Sequence, residues 1–230
     1  MNRCPNPACV LKVGDGRGFI IEHRTTHPRL GHELSKRRVV TAAHCLPKLP
    51  PAHPAAHWWE RTFHILGSLD GRKHDVAVEC LFVDPVADIA VLGRPDEPEL
   101  GNEADAYDAL TNDAPVLRIG KARDGPGWVL ALDNHWVPTT LEIHGLWIPN
   151  LSIDLVEAGL SGSPILNDDG RAVGVVAVGS EIVSAGGTRK PERARGQPIL
   201  LLSLPGWLLQ KWLRVSLDRA NHPRDALRSG

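Results

Sequence analysis

Val39-Val40-Thr41-Ala42-Ala43-His44-Cys45-Leu46 is the stretch from which the rest of the chain can be read. A β-branched strand runs into two small alanines and then a histidine. A tight turn after the alanines leaves an imidazole facing a cleft, and imidazole is the side chain that exchanges protons near neutral pH. A lone histidine is more often a surface or core residue than a base, so its partners decide the reading.

Two further stretches supply partners. Val86-Ala87-Asp88-Ile89-Ala90-Val91-Leu92 is an acid opening an apolar strand. Alone, it reads as a strand cap or turn aspartate. In Gly159-Leu160-Ser161-Gly162-Ser163-Pro164-Ile165-Leu166 the glycines permit a tight backbone. Such a backbone exposes a serine and aims neighbouring N–H groups at one point. Alone, a Gly/Ser/Pro cluster is more often a turn than a site. Together the three stretches offer a nucleophile, a base, a group to orient the base, and donors for an oxyanion.

In their order the stretches resemble the trypsin/chymotrypsin-like serine proteases, whose chain order is His, Asp, Ser. Thr41-Ala42-Ala43-His44-Cys45 matches that family's histidine motif unchanged. The segment 88–92 resembles the aspartate motif of bacterial members. The segment 159–164 resembles the Gly-Asp-Ser-Gly-Gly-Pro nucleophile motif, with Leu160 for Asp and Ser163 for Gly. The segment 173–180 resembles the strand that walls the substrate site. The resemblance implies a catalytic triad of His44, Asp88 and Ser161, with an oxyanion hole from the backbone N–H groups of Gly159 and Ser161. Ser163 becomes structural in that frame. Counting back from Ser161, Leu155 falls at the base of the specificity pocket, with Ala177, Val178 and Gly179 on its wall. With no acid at position 155, the expected preference is for a small or medium apolar residue before the scissile bond.

The chain departs from the family at several points. Leu160 replaces the aspartate that, in secreted relatives, pairs with a newly cut amino terminus, so something else must organise the oxyanion loop. The stretch 22–40 contains no cysteine that could pair with Cys45, which is expected to be a free thiol. Ala177 stands where the family usually has a serine supporting the aspartate.

Around these motifs run short apolar segments separated by Gly, Pro, Asn and Asp, the pattern of many antiparallel strands. Strands are expected at 10–13, 18–22, 38–41, 62–66, 75–83 and 89–92, then at 115–119, 127–133, 139–146, 163–166, 172–178 and 198–203. Two groups of six predict an all-β fold of two six-stranded antiparallel β-barrels. Leu204, Leu208 and Trp212 recur every four residues, predicting a C-terminal α-helix that docks on the second barrel. The expected division is 1–94 for the first barrel, 95–112 for an acidic, proline-bearing linker, 113–217 for the second barrel and helix, and 218–230 for a polar tail.

Composition excludes other classes. At 42% hydrophobic and 23% charged residues this is an ordinary globular chain. A net charge of −1 argues against a nucleic-acid or anionic-membrane footprint. No apolar run approaches the ~20 residues of a membrane span. The first 21 residues contain two prolines and no continuous apolar segment, unlike a secretory signal peptide. Four cysteines do not make a disulfide framework, and Cys80 reads as a small hydrophobe on a strand. The expected location is therefore cytoplasmic, with no metal or other cofactor and a protein or peptide substrate. The rivals are a latent protease ordered by a regulatory protein partner and a binding module that keeps the fold without catalysis. The basic loop 181–197 reads as solvated or as a recruiting rim, and the adjacent Trp58-Trp59 as core or docking residues.

Overall fold

The structure is a computed structural model that describes residues 4–26, 33–51, 57–141, 159–177 and 195–197. Its strands are β1 (Val10–Val13), β2 (Gly16–Thr26), β3 (Glu33–Thr41), β4 (Thr62–Ser68), β5 (Val76–Asp84), β6 (Ile89–Gly93), β7 (Gly125–Leu130), β8 (Trp136–Leu141), β9 (Pro164–Asn167), β10 (Ala172–Ala177) and β11 (Arg195–Gln197). Helices among the described residues are the single turn α1 (Trp58–Arg61), α2 (Gly101–Thr111) and short 3-10 turns. This is the all-β, trypsin-like architecture that the motif order predicts.

The first six strands close into a barrel in the order β1-β2-β3-β6-β5-β4, completed by β1 pairing with β4. Closure removes the exposed strand edges. β6 is buried along its whole length, which is why its sequence is apolar at successive positions instead of alternating. β2 and β3 pair from Gly18↔Thr41 out to Thr26↔Glu33, well past the apolar segments, because backbone pairing continues after the core ends. The β3–β6 register decides the site: Thr41 opposes Ala90, so the chain leaves β3 and enters β6 at the same end of the barrel.

The second sheet has the order β11-β10-β9-β7-β8 among the described residues. The segment expected as a strand at 115–119 makes only one bridge to each sheet, Ile21↔Leu117 and Ile119↔Ala172, and acts as a strap between them. The expected strand at 198–203 and the terminal helix lie outside the described residues. The main core is shared: Phe19, Val40 and Leu92 of the barrel pack in one cluster with Leu130, Leu166 and Val175 of the second sheet. A smaller cluster gathers Val129, Leu141, Leu160, Ile165, Val173 and Val176.

The acidic segment read as a linker holds α2 where no helix is expected. Pro98 opens a 3-10 turn before it, and Ala104, Tyr107 and Thr111 form its buried stripe. Cations from elsewhere cap its C-terminal carbonyls. Arg37 donates to the carbonyls of Thr111 and Ala114, and Lys73 Nζ lies 3.3 Å from that of Ala109. Those partners satisfy the orphan acceptors and oppose the negative end of the helix dipole.

Candidate active site

His44 sits in the 3-10 turn Ala43–Cys45 that follows β3. Ala42, Ala43, Cys45 and Leu46 are all buried, so the turn is anchored on every side of the histidine while its imidazole stays 38% exposed. Small residues before the histidine make that possible, since larger ones would not fit beneath the turn.

Asp88 reaches the same place from the opposite strand. Asp84 Oδ1 accepts the N–H groups of Val86 and Ala87, each at 2.9 Å, and so builds the turn that precedes β6. Asp88 itself has φ of +53°, a left-handed conformation that aspartate tolerates better than most residues. Its carboxylate is spent on one partner residue. Oδ2 accepts from His44 Nδ1 at 2.7 Å, and Oδ1 accepts the backbone N–H of His44 at 3.0 Å. Because a carboxylate oxygen accepts, Nδ1 carries the proton and Nε2 is left as the basic ring nitrogen. Both the tautomer and the ring orientation follow from this grip.

The serine loop is built by backbone. Ser163 N–H bonds the Leu160 carbonyl at 3.0 Å, which makes 160–163 a tight turn. Gly162 N–H bonds the Val176 carbonyl at 2.7 Å, and Val176 N–H bonds that of Ser163 at 2.9 Å, tying the turn to β10. Gly159 and Gly162 have φ of +107° and +82°. At Gly162 a Cβ would stand 1.8 Å from the Arg17 carbonyl oxygen, so glycine is obligatory there. The Ser161 carbonyl accepts the Arg17 N–H at 2.7 Å and faces the Cys45 thiol at 3.7 Å. Ser161 is therefore held against the residue next to His44. Ser163 is fully buried, which keeps its hydroxyl from substrate. Leu160 is 3% exposed and packs in the smaller core cluster, so this loop is anchored by an apolar contact where an acid was absent.

Burial raises the Cys45 thiol pKa; a hydrogen bond with Thr41 opposes it, and the Asp88 carboxylate adds a smaller rise. The thiol beside the histidine is thus the protonated, weakly nucleophilic form at neutral pH. Ala177 is half-buried at the end of β10. Leu155, Val178 and Gly179 lie outside the described residues.

Sequence reasoning missed Arg17. It is 5% exposed, and its backbone and side chain both touch the site's supports. Its carbonyl accepts Thr41 Oγ1 at 2.6 Å. Its guanidinium donates to the carbonyls of Ala131 at 2.9 Å and Leu132 at 3.0 Å, with Leu130 and Asn134 further off at 3.4 Å. Burial lowers its pKa, partly offset by Asp133, but guanidinium stays charged at any ordinary pH. The available signal was strand alternation: Arg17 shares a face with Phe19 and Ile21, and a charge on a core face needs a built partner.

Fold and site together define a trypsin-fold protein with a carboxylate-oriented histidine at the barrel rim and a glycine-framed serine whose carbonyl faces the neighbouring Cys45. A family model of the trypsin-like peptidase domain matches residues 16–175, well over half of the sequence, and the chain belongs to that family. A search of the curated proteins finds no match. Among solved structures it is similar to the inactive form of the Rv3671c protease, at 19% identity over 76% of this chain and 80% of that one, TM-score 0.39. It is also similar to a serine protease of human pathogenic astrovirus, at 14% identity over 76% and 85%, TM-score 0.41.

Proposed function

We propose that this protein is a serine endopeptidase in which His44, Asp88 and Ser161 form the catalytic triad. The observation that carries the reading is the pair of hydrogen bonds that Asp88 accepts from His44, one oxygen on the ring and one on the backbone. One oxygen orients the imidazole and the other holds the backbone that carries it, so the whole carboxylate, in a left-handed conformation, serves one histidine.

In this reading Ser161 Oγ attacks the carbonyl carbon of a peptide bond while His44 Nε2 takes its proton. The tetrahedral oxyanion is received by the N–H groups of Gly159 and Ser161. His44 then protonates the leaving amine, the C–N bond breaks, and an acyl-enzyme remains on Ser161. Water, deprotonated by the same imidazole, releases the acid and restores the serine. Asp88 stabilises the imidazolium at each transfer without itself taking the proton. Each oxyanion donor lowers the barrier by about 3–4 kcal/mol. The substrate is a polypeptide, with an apolar residue before the scissile bond as Leu155 suggests.

The test is labelling by a fluorophosphonate probe, with the adduct located by mass spectrometry. An adduct on Ser161 that is absent in Ser161→Ala and strongly reduced in His44→Ala is expected. A folded wild-type protein that takes no label, or a label on another residue, overturns the assignment.

A further inference from the structure

The serine loop needs an organiser, and Leu160 cannot supply one through charge. The turn between β7 and β8 lies in the right place. It is closed by Asn134 N–H on the Ala131 carbonyl at 3.0 Å and by Ala131 N–H on the His135 carbonyl at 2.8 Å, with Asn134 at φ of +66°. From one side Arg17 clamps two of its carbonyls at 2.9 and 3.0 Å. On the other side Leu132 packs against the cluster that holds Leu160. Its Cδ2 also lies 3.5 Å from where a Gly159 Cβ would be. The backbone of the same arginine holds the Ser161 carbonyl and meets Gly162 from below.

We infer that Arg17 is a positioning residue for the oxyanion loop: its guanidinium fixes the β7–β8 turn, and Leu132 of that turn sets Gly159 and Leu160. The inference rests on the serine-protease reading for its kinetic consequence, but its structural consequence stands alone. A guanidinium is suited to the task because its planar fork satisfies two adjacent carbonyls at once, which an ammonium does less well. A buried charge held by neutral carbonyls is costly to unpair, so the turn has one strongly preferred place. Gly159 is a proposed oxyanion donor, and displacement by a fraction of an ångström separates a productive donor from an idle one. Arg17 touches neither substrate nor the reacting atoms in this scheme; it acts through the turn.

The experiment compares wild type, Arg17→Met, Arg17→Lys and Leu132→Ala, with Arg72→Met as a control at an 86% exposed side chain. Two readouts are taken on folded protein: hydrogen exchange of the amides at 159–163, and fluorophosphonate inactivation resolved into its maximal rate and its half-saturating concentration. For Arg17→Met, exchange at 159–163 is expected to rise at least about tenfold. The maximal rate should fall about 100-fold, as for loss of an oxyanion donor, with half-saturation moved less than about threefold. Arg17→Lys falls between, and Leu132→Ala shows the same pattern more weakly. Should Arg17→Met not fold, Arg17→Lys and Leu132→Ala decide the matter. Unchanged exchange at 159–163 with unchanged inactivation per folded molecule, whatever happens to the melting temperature, would make Arg17 a staple between the sheets and overturn the inference. If wild type itself is not labelled, the protease reading fails, while the exchange data still judge the positioning role.

Discussion

Gly162→Ala tests the construction of the serine loop most directly. A Cβ there would lie 1.8 Å from the Arg17 carbonyl oxygen and 2.6 Å from Thr41 Oγ1, at φ of +82°. The left-handed backbone alone costs an alanine about 1–2 kcal/mol. The overlap can be relieved only if the Arg17 carbonyl retreats by more than about 1 Å. That breaks its 2.6 Å bond from Thr41 and strains the 2.7 Å bond from Arg17 to Ser161. Losing buried partners of this kind costs about 1–3 kcal/mol. The sum is about 2–5 kcal/mol, a large share of the ~5–15 kcal/mol that holds a domain together, and a fall in melting temperature of roughly 4–20 °C. Two companions separate the contributions. Gly71 has φ of +73° with open space around it, so Gly71→Ala carries only the ~1–2 kcal/mol conformational cost. Gly101 is helical and unobstructed, so Gly101→Ala should be neutral or stabilising by up to about 1 kcal/mol. Thermal and urea unfolding of the three variants measures the series. A Gly162→Ala protein within about 1 kcal/mol of Gly71→Ala would refute the contact argument.

Two other outcomes follow from the same geometry. Asp88→Asn keeps the left-handed backbone within reach but no longer enforces the Nδ1–H tautomer, so kcat should fall about 1,000- to 10,000-fold with stability changed by less than about 1 kcal/mol; steady-state hydrolysis beside urea unfolding checks both halves. Glu79 is 7% exposed and 2.8 Å from Arg61 Nε, yet burial outweighs the attraction and raises its carboxyl pKa above the ordinary 4.5. The folded state then keeps a proton that the unfolded chain has released, so this residue's contribution declines as pH rises from 4.5 through the folded value. Glu79→Gln should remove that part of the decline in urea-unfolding free energy, and parallel pH profiles for the two proteins would contradict it.

Much of this was legible in the sequence because the site is framed by residues with few uses. Ala42 and Ala43 before His44, and the glycines around Ser161, permit backbone that bulkier residues forbid, and they mark it locally. Asp88 could be found only through its order with the other two stretches, since alone an acid opening an apolar strand reads as a cap or turn residue. The outward halves of β2 and β3 could not, since pairing from His23↔Lys36 to Thr26↔Glu33 carries no apolar alternation. α2 was hidden by its acidic face and by the remoteness of its caps, for Arg37 and Lys73 come from other strands and turns. Arg17 was missed, because its partners at Leu130, Ala131 and Leu132 lie at least 113 residues away.

That last span bears on the order in which the site is assembled. The histidine and the aspartate are joined within the first barrel, but the serine turn is braced by β10 and by a residue near the start of the chain; even the Cys45–Ser161 contact closes over 116 residues. Contacts of such sequence separation form late, after the entropy of closing long loops has been met. A nascent chain emerging from the ribosome can therefore join Asp88 to His44 before the turn at Ser161 is braced. The core cluster spans the same two sheets, so parting them frees the serine turn and exposes the core in one event.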